Sequence, residues 1–240
     1  SPFSILHSPF SILHSPFSIL HSPFSILHSP FSILHSPFSI LHSPFPSPHP
    51  PPPMRVISGT AKGHTLHSVP GDSTRPIADR VKSALFSILE SQEAVRGRRW
   101  LDLFGGTGAV GIEALSRGAA SVVFVEKDGR AVQVLGQNLR STGVGEDRRS
   151  HVVRGDAFAY LLRPQIDPFD LIYIAPPQYK AMWQKALRAV DARPELLTER
   201  GQVVVQIFPK EDEPELPLLN LRRYDERQYG STRLIFFERN

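Results

Sequence analysis

The segment Trp100-Leu-Asp-Leu-Phe-Gly-Gly-Thr-Gly-Ala-Val-Gly-Ile-Glu-Ala-Leu115 brings an acid, a glycine-rich turn and the start of a helical pattern together. Each part has a chemical use. An apolar run ends at Asp102, where a carboxylate can accept hydrogen bonds from the ammonium group of a cationic ligand. Gly105, Gly106, Thr107 and Gly108 form a turn that exposes backbone N–H groups beside a helix N-terminus, a natural seat for a nucleotide-like ligand. Glu126 closes the next apolar run, and Asp156 with Ala157 follows the third, after Gly155. Gly106-Thr-Gly-Ala-Val-Gly111 also satisfies the dinucleotide fingerprint, with Glu126 twenty residues after Gly106. A nicotinamide enzyme is therefore a competing reading. Three features oppose it: Asp102 before the glycines, a 45-residue element ahead of the motif, and no substrate domain after the sheet.

These residues need a scaffold, and the pattern of the chain supplies one. Arg55–Gly59 and His64–Val69 read as short strands around Ala61-Lys-Gly63, a hairpin. A helical pattern runs from Ile77 through Val81, Ala84, Leu85, Ile88 and Leu89, with Pro76 suited to a first helical position. Strands are then expected at 99–104, 121–126, 150–154, 169–174 and 201–208. Helices are expected at 108–118, 129–141, 156–163 and 180–190. Two further strands, near 219–226 and 232–238, have no helix between them and should form an antiparallel hairpin at one side. Repeated strand–helix alternation predicts an α/β fold, a mostly parallel sheet covered by helices on both faces.

Residues 1–53 have a different character. Six perfect copies of Ser-Pro-Phe-Ser-Ile-Leu-His fill residues 1–42, and 13 of the 23 prolines lie before Met54. A proline in every seven residues interrupts both helix and strand, so low-complexity disorder is expected. The heptanucleotide CTCCATT in tandem encodes this peptide unit in circular permutation. A natural start at Met54 is therefore expected, with the repeat as translated simple-sequence DNA. The seven regularly spaced histidines follow from the repeat and carry no metal assignment. The segment has neither the Arg-rich composition nor the charged start of a targeting sequence. All 27 basic and 23 acidic residues fall within 54–240, a net charge of +4. The arginines cluster at 96, 98 and 99, at 148 and 149, and at 222, 223, 227 and 233, where phosphates of a polyanion could be met. There is no cysteine, hence no disulfide framework or thiolate chemistry. No apolar run approaches the length of a membrane span, and a cytoplasmic monomer is expected.

The combination Asp102-x-Phe-x-Gly-x-Gly108, Glu126 at the end of strand two and Gly155-Asp156-Ala157 after strand three resembles the S-adenosylmethionine-dependent methyltransferases. The resemblance implies a seven-stranded Rossmann-like sheet with S-adenosylmethionine as cofactor. It implies that Gly105, Gly106, Thr107 and Gly108 lie under the methionine part. Glu126 is then the acid that grips the ribose hydroxyls, and Asp156 with Ala157 meets the adenine. Outside that half, Met54–Gly63 and Thr74-Arg-Pro-Ile-Ala-Asp-Arg-Val-Lys-Ser-Ala-Leu-Phe86 resemble bacterial enzymes that methylate guanine N2 in 16S ribosomal RNA. That likeness covers 54–240. It implies a hairpin-plus-helix extension over 54–98 and a methyltransferase domain over 99–240. It also implies ribosomal RNA or a small-subunit assembly particle as partner, with Arg75, Asp79, Arg80 and Lys82 near the RNA.

A guanine amino group is a poor nucleophile because its lone pair is drawn into the ring. An enzyme must flip the base out, stack it and hold the N–H groups with acceptors. Amino methyltransferases use an Asp/Asn-Pro-Pro-aromatic turn after strand four. Here that turn reads Ala175-Pro176-Pro177-Gln178-Tyr179, so the acceptor side chain is absent and the aromatic comes one residue late. The carbonyls of Ala175 and Pro176 remain as acceptors, Gln178 offers an amide oxygen, and Tyr179 is the stacking candidate. Two alternatives stay open: a binding module in ribosome assembly that transfers nothing, and an amino-methyltransferase acting on another nucleic-acid base.

Overall fold

A computed structural model of the chain describes residues 53–69, 77–145, 148–177, 181–213 and 216–240. The repeat, Arg75, Gln178 and Tyr179 lie outside the described residues, and so do the expectations placed on them. Seven strands form one sheet: β1 (Arg99–Asp102), β2 (Ser121–Glu126), β3 (Ser150–Arg154), β4 (Phe169–Ile174), β5 (Leu197–Ile207), β6 (Leu221–Tyr229) and β7 (Thr232–Arg239). Their order is β3-β2-β1-β4-β5-β7-β6. β1 to β5 are parallel, while β7 runs antiparallel to both β5 and β6. The C-terminal hairpin thus joins the sheet through its second strand. The order reverses between β1 and β4, and an open α/β sheet binds ligands beyond the strand ends at such a point.

Five helices cover the sheet: α1 (Asp79–Ser91), α2 (Ala109–Ser116), α3 (Gly129–Thr142), α4 (Ala157–Leu161) and α5 (Met182–Asp191). Strand residues alternate between two buried clusters, as a period of two requires. Trp100, Phe124, Tyr173, Val204 and Phe236 face α1, α2 and α3. Leu101, Val125, Ile174, Val205 and Phe237 face α4 and α5. The alternation explains why these strands read as continuous apolar runs.

α2 is buried at every residue. One face lies on the sheet, where a Cβ at Gly111 would sit 2.2 Å from the Phe124 ring. The other is covered by the N-terminal extension, whose Met54, Val56, Ala61 and Leu66 join the same core cluster as Trp100 and Phe124. Gly59 has φ of +84°, and a Cβ there would lie 1.9 Å from the carbonyl oxygen of Ser116. Only glycine lets this backbone come so close to the C-terminus of α2. The hairpin of the extension narrows to a single antiparallel bridge, Arg55 with Thr65.

The helix expected from Ile77 begins at Asp79, after Ala78 in an extended conformation. The first strand ends at Asp102 rather than 104, because Gly105 already donates to the Val125 carbonyl at 2.9 Å in turning toward α2. β5 starts four residues before the expected Gly201, with Phe169 paired to Leu197 ahead of an irregularity in the register.

Candidate active site

A cleft of about 790 Å³ opens where β1 and β4 diverge. The glycine turn forms its floor. Gly106 and Gly108 have φ of +51° and +81°, values that favour glycine. The Gly108 N–H donates to the Gly105 carbonyl at 2.7 Å, and the Gly108 carbonyl accepts the first helical bond of α2, from Ile112. A Cβ on Gly108 would lie 2.2 Å from Leu135, so the turn can pack against α3 only without a side chain.

Two acids stand over this turn. Glu126 accepts from Gly106 N at 2.9 Å with one oxygen and from Asp128 N at 2.7 Å with the other. It therefore ties the glycine turn to the start of α3 while lining the cleft. Asp102 is 2% exposed. Burial pushes its carboxyl up to about 7, the Gly111 backbone N–H acts in the opposite direction, and the Glu126 charge adds to the rise. A buried carboxyl in this state is stabilised by an arriving cation, which is the property a ligand ammonium requires.

Asp156 caps α4, accepting from Phe158 N at 3.0 Å and Ala159 N at 3.1 Å through Oδ1. Its other oxygen stands 3.7 Å from Lys127 Nζ. The Ala159 and Phe158 N–H groups hold this carboxyl below the usual range. Half of the side chain is thus a helix cap, leaving Oδ2 to reach a ligand. Ala157 beside it is 6% exposed and lines the cleft. The structure brings Asp102, Gly105, Gly106, Thr107, Glu126, Asp156 and Ala157 into one cavity whose far wall is Ala175, Pro176 and Pro177. Gly108 supports the turn from behind.

The wall also contains Ile77, Tyr173, Met182 and Gln206, to which sequence reasoning gave no role in the site. Gln206 did carry a signal, as a polar residue in the apolar run Val203-Val-Val-Gln-Ile207.

The expectation for Lys82 is corrected. It lies on the inward stripe of α1 with Val81, Leu85, Phe86 and Leu89 and is 0% exposed. Its Nζ donates to the Arg55 carbonyl at 2.6 Å and pairs with Glu113 at 3.4 Å, so it cannot meet an RNA phosphate in this conformation. Asp79 forms an ion pair with Arg55 at 2.9 Å. Arg80 is exposed in the first turn of α1, three residues after Ile77, which lines the cleft. The C-terminal arginine cluster is paired within the sheet edge. Arg223 and Arg233 share Asp212, Arg222 meets Glu238, and Arg227 meets Asp225.

Among the described residues no group of three or more His, Asp or Glu side chains is placed to hold a metal ion. No helix among them is long and apolar enough to cross a membrane.

The chain is 39% identical over 166 residues to the Bacillus subtilis (strain 168) protein YlbH, provisionally named an rRNA methyltransferase; the match covers 68% of this chain and 86% of that one. It is 32% identical over 135 residues to the ribosomal RNA small subunit methyltransferase D of Haemophilus influenzae, covering 56% of this chain and 68% of the relative. A solved structure of a hypothetical protein from Thermus thermophilus superposes with a TM-score of 0.63 at 34% identity, covering 77% of this chain and 98% of the other. The model of the family described as Conserved hypothetical protein 95 matches residues 54–238, and the chain belongs to that family.

Proposed function

We propose that this protein is an S-adenosylmethionine-dependent ribosomal RNA methyltransferase and that its acceptor is the exocyclic N2 amine of a guanine in 16S ribosomal RNA. One observation carries the reading. A single cleft holds a buried, cation-seeking acid, a glycine turn, a second acid and a third acid with Ala157, and it ends on a proline corner. Its members fit the bound cofactor in kind: Asp102 suits an ammonium, Glu126 a pair of hydroxyls, and Asp156 Oδ2 an exocyclic amine. S-adenosylmethionine, when bound, supplies an electrophilic methyl group on a sulfonium sulfur.

The chain's own residues do the rest. The carbonyls of Ala175 and Pro176 hold the acceptor amine through an N–H and turn its lone pair toward the cleft. Pro176 and Pro177 fix the backbone so that these acceptors are set before the substrate arrives, a proximity effect worth up to about 7–11 kcal/mol in ideal cases. Gln178 adds an amide oxygen, and Tyr179 stacks on the flipped base. Arg80, with Arg75, meets the RNA backbone.

Nucleoside mass spectrometry of ribosomal RNA from cells with and without the gene tests this. Loss of N2-methylguanine from the small-subunit RNA is the expected result. Gln178→Ala and Tyr179→Ala should each cut methyl transfer well below wild type at unchanged cofactor affinity. Full activity in both variants refutes the roles given to them. One feature favours a second reading, a binding protein without transfer: Ala175 carries no polar side chain. A purified protein that binds S-adenosylmethionine and methylates no ribosomal substrate would establish it.

A further inference from the structure

The polar group missing at Ala175 has a neighbour on the next strand. β4 and β5 pair in parallel, with Tyr173 opposite Val204 and Ile174 opposite Val205. Carrying that register one residue further sets Gln206 beside Ala175. Alternation along the strands puts Tyr173, Ala175 and Gln206 on one sheet face, the face on which Tyr173 and Ala175 meet the α1–α3 core. All three line the cleft together with Asp102 and the proline corner.

The Tyr173 hydroxyl donates to Gln206 Oε1. Tyr173 is itself 2% exposed. Val203, Val204 and Val205 are fully buried, whereas Gln206 is half-buried, so its amide stands where the buried strand emerges into the cleft. An amide at such a place can turn its remaining hydrogen-bonding capacity to a ligand in the cleft. Tyr173 fills one lone pair of Oε1. Among the described residues, the second lone pair and both Nε2 hydrogens have no partner.

We propose that Gln206 orients and selects the acceptor base, and that Tyr173 is a positioning residue that locks the Gln206 amide. The inference rests on the methyltransferase reading above and deepens it. An amide presents an acceptor and a donor side by side. That pair matches a base edge on which an exocyclic amine adjoins an unprotonated ring nitrogen, N3 in guanine: Oε1 accepts one of the two amine N–H groups, leaving the other to the corner carbonyls, while Nε2 donates to the ring nitrogen. The side chain that the corner lacks is thereby supplied from β5. The partner is an amine-bearing base edge, since a carbonyl in the amine's place would set oxygen against oxygen.

The test uses the full chain, small ribosomal subunits lacking the modification, and labelled S-adenosylmethionine. Gln206→Met keeps length and volume and removes the amide. It should lose about 10–100-fold in kcat/KM, the loss expected when one or two buried partners go unmet. Affinity for S-adenosylmethionine, measured by calorimetry, should stay within about twofold. Tyr173→Phe should lose less, and the double variant should be no worse than Gln206→Met alone, because the tyrosine acts through the amide. Wild-type kcat/KM in Gln206→Met overturns the inference while leaving the methyltransferase reading intact. Loss of cofactor binding in Gln206→Met, or additive losses in the double variant, also overturns it by making the pair a structural support. A wild-type protein that binds the cofactor and methylates nothing overturns both.

Discussion

Lys82 Nζ and Glu113 Oε2 meet at 3.4 Å with no exposed side-chain surface on either residue. Glu113 is the centre of this arrangement. It accepts the backbone N–H groups of Ile57 at 2.7 Å and Ser58 at 2.9 Å, and Arg117 Nε at 2.8 Å. The helix behind the glycine turn thus holds the N-terminal extension through this carboxylate and, at its other end, through Ser116, which accepts from Thr60 N and Ala61 N. Burial lowers the Lys82 ammonium below its ordinary value, and Glu113 is the main influence in the other direction.

Removing either partner should therefore be unequal in cost. Glu113→Leu strands a buried lysine and two backbone donors, and should destabilise by about 3–5 kcal/mol. Lys82→Met leaves Glu113 with three partners and should cost clearly less. Urea denaturation of the two variants decides the matter; equal losses, or a larger loss for Lys82→Met, would remove Glu113 from its central place.

The Asp102 carboxyl makes cofactor binding depend on pH. With its midpoint at about 7 in the folded protein against 3.8 for an unperturbed Asp, the folded state holds this proton more tightly than the unfolded chain. Its contribution to stability is complete below 3.8 and is lost as pH rises to about 7. Binding of a cationic ligand has the opposite preference, because it needs the ionised form. Affinity for S-adenosylmethionine should rise several-fold above roughly pH 6 as Asp102 ionises, and should fall again above about pH 8 as the ligand's own ammonium loses its proton. Asp102→Asn should bind more weakly and flatten the profile. Calorimetry across that range checks it, and a flat wild-type profile would contradict the assignment.

The residues that line the cleft were more legible in the sequence than those that support it. Asp102, the glycines, Glu126 and Asp156 were legible because each ends or closely follows a strand segment, and parallel strands bring their C-terminal ends to one edge of a sheet. Ala175 to Pro177 followed for the same reason. Lys82 was misread because a charged residue on an amphipathic helix normally faces solvent, and only tertiary packing shows that Glu113 waits on the inside. Gln206 stood out as a polar residue in an apolar run, but its pairing with Tyr173 depends on the β4–β5 register, which no local pattern encodes. The arginines at 222, 223, 227 and 233 looked like a phosphate surface because their acidic partners are scattered over Asp212, Asp225 and Glu238.

Asn138 should couple the extension to the cofactor floor. Its side chain is fully buried. It accepts from His67 N at 2.7 Å and donates to the His67 carbonyl at 3.0 Å and the Thr107 carbonyl at 2.9 Å. Asn138→Asp keeps the shape but turns two donations into contacts between oxygens, a change costing about 1–3 kcal/mol or more. Hydrogen exchange should then speed up across residues 53–69, and affinity for S-adenosylmethionine should fall through the disturbed Thr107. Unchanged exchange in that segment would show that the extension is held without Asn138.

Arginines should matter to RNA according to whether the protein already uses them. Arg227 Nη1 lies 2.7 Å from Asp225, and Arg222 is similarly paired with Glu238. Arg80 is exposed and forms no ion pair among the described residues. A phosphate contact by Arg80 releases counterions, whereas one by Arg227 first requires breaking its pair with Asp225. Arg80→Ala should therefore weaken binding to small-subunit RNA and reduce the slope of log affinity against log salt by about 0.7–0.9. Arg227→Ala should leave the slope within error of wild type. Filter binding from low to moderate salt separates the two; a smaller slope for Arg227→Ala alone would move the RNA from the α1 side of the cleft to the β6–β7 edge.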